Sequence, residues 1–243
     1  MDLPEIKDNA KREISALRGD LQDLKKCQLQ YFTLTITGTG AIFGLSAILG
    51  NDFKGLALLA PLALILPCWL IFFDKATTIT RIVGYQRCLE EQIVAEEVTI
   101  NYLGYENALG AYRAKEHDAW KTVGGKTGTT VKDLFGMVIL RTRHRFWMLH
   151  WYTFALLSGV CWCGSYAMLG KDVITVSFPL GINVSAPERT MWAGPAFLLV
   201  AMCLVHTGWL ILSLTCGKSS YNACTKIWKH ILVADRRGNR PGG

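Results

Sequence analysis

The chain has 243 residues, 51% of them hydrophobic, and its 26 Lys and Arg outnumber 19 Asp and Glu for a formal charge of +7. Only 19% of its residues are charged, below the roughly 25% of an ordinary soluble domain. Asp, Glu, Lys and Arg are absent from four stretches (31–49, 55–73, 147–169 and 191–214), each 19 to 24 residues long, which excludes a conventional soluble globule whose core helices are shorter and amphipathic.

A helix needs about 20 apolar residues to cross a hydrocarbon core of roughly 30 Å. The expected fold is therefore an all-α integral membrane protein with four transmembrane helices and cytoplasmic helical extensions. Of the 26 basic residues, 23 fall in 1–30, 75–146 and 215–243, and Lys54, Lys171 and Arg189 are the rest. Basic residues flanking spans stay in the cytoplasm. This asymmetry predicts that both termini and the middle segment face inward, and that the short connectors 50–54 and 170–190 face outward. The first apolar stretch begins at residue 31 behind a charged segment, so it does not read as a cleaved signal peptide.

Residues 1–30 predict a cytoplasmic amphipathic helix. Pro4 suits a first helical turn, and Ile14, Leu17, Leu21 and Leu24 form a coiled-coil or bundle seam. That helix is expected to run without a break into the first hairpin of spans, 31–74. In the first span Thr33, Thr37, Gly40 and Gly44 share a face at four-three-four spacing. Small residues let helix backbones approach closely. Two readings stand for this face: packing within the chain's own bundle, or homo-oligomerisation with a hydroxyl-lined pore. Pro61 and Pro67 predict kinks in the second span.

The middle segment, 75–146, carries Ile79, Ile82, Val83, Leu89, Ile93 and Ile100 at helical spacing, with Glu90, Glu91, Glu96 and Glu97 on other faces. A break near Gly104 and a further helix over 102–115 follow. Residues 123–130 are loop by composition, and helical pattern resumes at Val131. Gly125, Lys126 and Thr127 lack the upstream Gly and the preceding strand of a phosphate-binding loop. Arg81, Tyr85, Arg87, Glu91 and Glu106 are candidates for a polar cluster between cytoplasmic helices, with a solvated bundle face carrying incidental ion pairs as the alternative. Arg141, Arg143 and Arg145, directly before the third span, are expected to contact lipid headgroups. The positive charge thus implies membrane lipid, and no specific nucleic acid, as its partner.

The second hairpin, 147–214, holds His150 and His206. An ionisable residue inside a membrane is a functional candidate by default, with hydrogen-bonded packing the alternative, favoured for His150. The outer loop 170–190 is β-prone around Pro179, Leu180 and Gly181, which allows a short β-hairpin. Asn183 and Ser185 fit a glycosylation acceptor if the source is eukaryotic. Residues 215–243 read as a cytoplasmic basic tail with Lys226, Lys229, Arg236 and Arg237. Trp69, Phe72, Phe73, Phe146, Trp147, Trp151 and Tyr152 form an interfacial belt at the inner ends, with Trp192 near the outer side. None of the eight cysteines falls in an outer connector, which argues against structural disulfides. No metal, cofactor or catalytic constellation is expected, so the chain reads as non-enzymatic.

The stretch Arg81-Ile-Val-Gly-Tyr85-Gln-Arg-Cys-Leu-Glu-Glu91, followed by Tyr105, Glu106 and Asn107, resembles a pattern in small bacterial membrane proteins that includes the SLATT-type effectors found with phage-defence genes. That resemblance implies an inner-membrane protein that oligomerises and breaches or depolarises the membrane when a cytosolic partner or signalling ligand reports infection. The expected function is thus an oligomeric channel-like component of a bacterial defence system, controlled through its cytoplasmic helices. A membrane-anchored sensor or scaffold that recruits a cytosolic protein is the alternative. A small transporter is a second alternative, disfavoured by charge-free spans.

Overall fold

The computed structural model describes residues 3–48, 51–95, 104–123, 145–170, 173–177, 183–215 and 217–238. They are nearly all helical. In chain order the elements are α1 (Leu3–Ser46), α2 (Asn51–Ala57), α3 (Leu62–Val94), α4 (Tyr105–Thr122), α5 (Arg145–Met168), β1 (Val173–Ser177), β2 (Asn183–Pro187), α6 (Glu188–Thr215) and α7 (Tyr221–Gly238). The two strands pair antiparallel, with Val173 opposite Pro187 and Ser177 opposite Asn183; the residues joining them lie outside those described.

Two stretches, Lys54–Val94 and Glu188–Thr215, are long and apolar enough to cross a membrane. The first and third charge-free segments are also helical, within α1 and α5, but they do not reach that measure. The reason is chemical. The apolar half of α1 is interrupted by Thr33, Thr35, Thr37 and Thr39, and α5 carries Trp147, Trp151, Tyr152, Trp162 and Tyr166. Hydroxyl, indole and phenol groups lower mean hydropathy although such side chains are at home near a membrane interface.

The chain divides into two compact units. The first comprises Met1–Cys27, Asp74–Arg141 and Leu210–Gly243; the second comprises Gln28–Phe73 and Thr142–Trp209. The boundaries fall inside α1, α3 and α6, so these three helices each contribute to both units. No proline interrupts α1 after its first turn, and its 44 residues form one helix. Pro67 lies inside α3, whereas Pro61 precedes it in the turn that follows α2.

The core of the first unit is built on helical periodicity. Ala10, Ile14, Leu17 and Leu21 of α1 meet Ile79, Ile82, Tyr85 and Leu89 of α3, Ala108 and Tyr112 of α4, and Cys224, Ile227, Trp228, Ile231 and Leu232 of α7. The expected seam on α1 is present and extends N-terminally to Ile6 and Ala10. The segment expected to be a basic tail is instead largely the amphipathic helix α7, which buries its apolar face in this core.

The second unit buries an aromatic column. Trp69 stacks on Phe154 at 5.8 Å, and Phe72 lies edge-on to Trp147 at 6.1 Å. Where polar groups are buried, specific bonds satisfy many of them: Gln28 Nε2 donates to the Phe72 carbonyl, Ser165 Oγ to the Gly55 carbonyl, and Trp151 Nε1 to Thr207 Oγ1. The outer surfaces of α5 and α6 are apolar in another sense: Leu156 and Val160, and Leu198, Met202, Val205 and Trp209, stand exposed by half or more.

Candidate functional site

Helix α4 is the element around which the sequence-predicted polar residues sort themselves. It begins after Gly104, whose φ of 74° lies in the left-handed region that glycine tolerates. Gly104 supplies no side-chain cap, so the first amide of α4 needs an acceptor from elsewhere. Glu13 of α1 provides it: one carboxylate oxygen accepts the Tyr105 backbone N–H, and the other accepts the Tyr85 hydroxyl at 3.3 Å. A carboxylate at this position also meets the positive end of the α4 dipole.

Near its other end α4 is tied by Glu116. Its carboxylate lies 3.7 Å from Arg81 Nη2 of α3 and 3.7 Å from Lys218 Nζ in the turn before α7. The Glu116 side chain is only 13% exposed, against 30% for Arg81 and 47% for Lys218. Arg81 Nε and Glu116 Oε1 are buried without a hydrogen-bond partner.

Between these two ties lies an aromatic layer. Trp228 contacts Tyr112 at 4.4 Å and Tyr85 at 4.9 Å between ring centroids, and its indole N–H donates to the Arg81 carbonyl at 3.0 Å. The Arg81 guanidinium stands over the Tyr112 ring at 5.8 Å. Burial, with Glu106 adding to it, pushes the Tyr105 hydroxyl up to about 12, and burial raises Tyr112 further still. Burial likewise pushes the Cys88 thiol up to about 12 and raises Cys224. These groups are therefore protonated, structural partners at neutral pH.

The five residues expected to form one cytoplasmic cluster do not come together. Arg81 and Tyr85 turn inward, to Glu116 and Glu13. Arg87 and Glu91 occupy another face of α3, where Arg87 Nη1 donates to Asn222 Oδ1 at 3.4 Å and Glu91 pairs with Lys229 at 2.6 Å. Glu106 is exposed on α4. Helical geometry accounts for the split, since six residues, at about 100° each, place Arg87 roughly 240° around α3 from Arg81. Sequence reasoning missed Glu13, Glu116, Lys218 and Trp228. The apolar spacing of Ala223, Ile227, Trp228 and Ile231 is the signal that could have found α7; nothing comparable marks the two glutamates.

Thr33, Thr37, Gly40 and Gly44 are all exposed, and nothing approaches a Cβ built on Gly40 or Gly44 within 4 Å. Packing of this face within the chain's own bundle is therefore overturned. The buried face of α1 in the second unit carries Gln28, Thr35, Thr39 and Ser46 instead, because Phe32 and Gly38 meet the large side chains Phe72, Phe154 and Leu64. Exposure costs Thr37 little, since its hydroxyl bonds the Thr33 carbonyl at 2.9 Å.

His150 is buried, with its Nδ1–H donating to the Phe146 carbonyl at 2.7 Å. Phe32, Phe72 and Phe146 surround the ring at 4.2–4.9 Å. That environment is packing, whereas His206 is exposed. Arg141 and Arg143 lie outside the described residues, and Arg145 is described only as the first residue of α5. The glycine-rich loop over 124–130 and the helical pattern from Val131 also lie outside them. Among the described residues no group of His, Cys, Asp and Glu could hold a metal ion. Comparison with family models, with curated proteins and with solved structures finds no match to the chain.

Proposed function

We propose that the chain is a four-span membrane protein, with its second outer connector a short hairpin, that acts as an oligomeric, channel-like or membrane-perturbing component. Its first unit would be the cytoplasmic control element. The observation that carries this reading is helix continuity: α1, α3 and α6 each belong to a unit rich in ion pairs and to a unit with an apolar outer surface. The same three helices run through both units, which is the route by which a displacement at the cytoplasmic ends would reach the spans.

The outward apolar side chains of α5 and α6 favour lipid as their surroundings, because contiguous apolar patches of this kind are unstable in water. The exposed Thr33, Thr37, Gly40 and Gly44 face is the surface through which copies would assemble. A defence role in a bacterial inner membrane rests on the resemblance over residues 81–107. The test is flux: the purified chain in liposomes, with its activating partner or ligand, should release an entrapped dye, and the double variant Gly40→Leu with Gly44→Leu should not. Tight liposomes and a monomeric protein under the same conditions would overturn the reading.

A second reading, a membrane-anchored sensor or scaffold, is favoured by the exposed charges of the first unit, where Lys226 and Glu106 lie open on α7 and α4. A scaffold would keep its partner binding in the glycine variants and show no flux in any variant.

A further inference from the structure

The strongest unused chemistry in the molecule is at Glu116. Two cations from distant parts of the chain, Arg81 and Lys218, converge on this single carboxylate, and both stop at 3.7 Å. A charge-assisted N–H···O bond closes to about 2.7–2.9 Å, so neither pair is made at full strength. Arg81 Nε is buried with no acceptor, and Glu116 Oε1 is buried with no donor in bonding range. One carboxylate therefore stands where two cations present more donors than it satisfies. The guanidinium is fixed over Tyr112, which leaves its planar fork preorganised. The Lys218 side chain is 47% exposed, which leaves a path from solvent.

The geometry points to Arg81 and Lys218 as an anion site for a phosphate-class dianion, with Glu116 as the internal occupant that holds it closed. A phosphate group has the oxygens to meet the guanidinium fork bidentately and the ammonium at once. Its two charges offset both cations, where Glu116 offsets one. Entry of the dianion displaces the Glu116 carboxylate and removes the ionic tie of α4 to α3 and to the turn before α7, while Ala119 and Trp120 keep that half of α4 packed on the core. The Glu13 tie at the other end of α4 is untouched, so the loosening is confined to the Glu116 end. The soluble phosphate compound and the phosphate headgroup of an anionic lipid share this chemistry.

The inference rests on α4 as the place where a signal enters, and binding alone tests it, so a failure of liposome flux would leave it standing. The probes for calorimetry on the detergent-purified full chain are inorganic pyrophosphate and the short-chain lipid dihexanoyl phosphatidic acid, with dihexanoyl phosphatidylcholine as the zwitterionic control. The site predicts saturable binding of at least one of the two anions. Glu116→Gln removes the competing charge and should tighten that binding by about tenfold, whereas Lys218→Ala and Arg81→Lys should each weaken it by about as much. Binding of pyrophosphate assigns a soluble ligand; binding of the lipid alone assigns a headgroup. Amide exchange over the C-terminal half of α4 should quicken when the anion is bound. A merely structural ion-pair network predicts no saturable binding by either probe. That result, or a Glu116→Gln protein that binds no better than the unaltered chain, overturns the proposal.

Discussion

Glu13 does two jobs with one carboxylate, and its replacement separates them from bulk packing. Glu13→Gln keeps the shape and loses the charge facing the first amide of α4. A hydrogen bond to a charged group contributes about 1 kcal/mol more than one to a neutral acceptor, so this variant should lose about 1 kcal/mol of stability in thermal denaturation, with amide exchange over 105–108 quickening first. Unchanged exchange there would show that α4 needs no acceptor from α1. Trp228 makes the larger contribution. It is fully buried between Tyr85 and Tyr112, and Trp228→Ala should cost about 3–5 kcal/mol.

The buried Cys88 thiol and the half-buried Tyr105 phenol set a pH window at the same scale. Burial raises Cys88 from 9.0 to about 12 and Tyr105 from 10.0 to about 12. Raised values mean that the folded state favours the protonated forms. The stability these groups contribute is complete below about pH 9 and is lost as pH rises toward about 12. Denaturation midpoints should fall steadily across that window, and Cys88→Ala should flatten the fall. A midpoint that holds constant to pH 11 would contradict the placement of these side chains.

Among the elements, α3 shows most clearly what the sequence reveals and what it hides. Its apolar residues Ile79, Ile82 and Leu89 were legible from spacing, and they form the core. Its charged residues were legible as a motif, but their partners were not, because Glu13, Glu116, Asn222 and Lys229 come from elements whose faces only the fold brings into range. Gly84 is a further case. A Cβ there would fall 2.8 Å from the Cys224 Cβ and 3.0–3.1 Å from the backbone of α7. Gly84→Ala should therefore push α3 and α7 apart and cost about 1–3 kcal/mol. The glycines of α1 behave oppositely. With open space around Gly40 and Gly44, replacement by Leu should not destabilise the fold and should gain at most about 1 kcal/mol per site in helix propensity. It should still abolish assembly, as read by the mass of the detergent-solubilised particle. Assembly unchanged in that variant would remove this face from the account. The small-residue spacing was legible, but which side of α1 faced its own bundle was not. That choice depends on Phe32, Phe72 and Phe154 filling one side.

At the scale of the whole molecule, two stretches are apolar enough to span by composition alone, and four are required by the proposed topology. The two additional spans are the Thr-bearing half of α1 and the Trp- and Tyr-rich α5. The most direct measurement is therefore side-specific labelling of single-cysteine variants by a membrane-impermeant maleimide in sealed vesicles of known orientation. Cysteines placed in the connectors 50–54 and 170–190 should react only from outside, and Cys27 only from inside. Labelling of Cys27 and of residue 52 from the same face would mean that α1 does not cross, and the four-span account would be wrong.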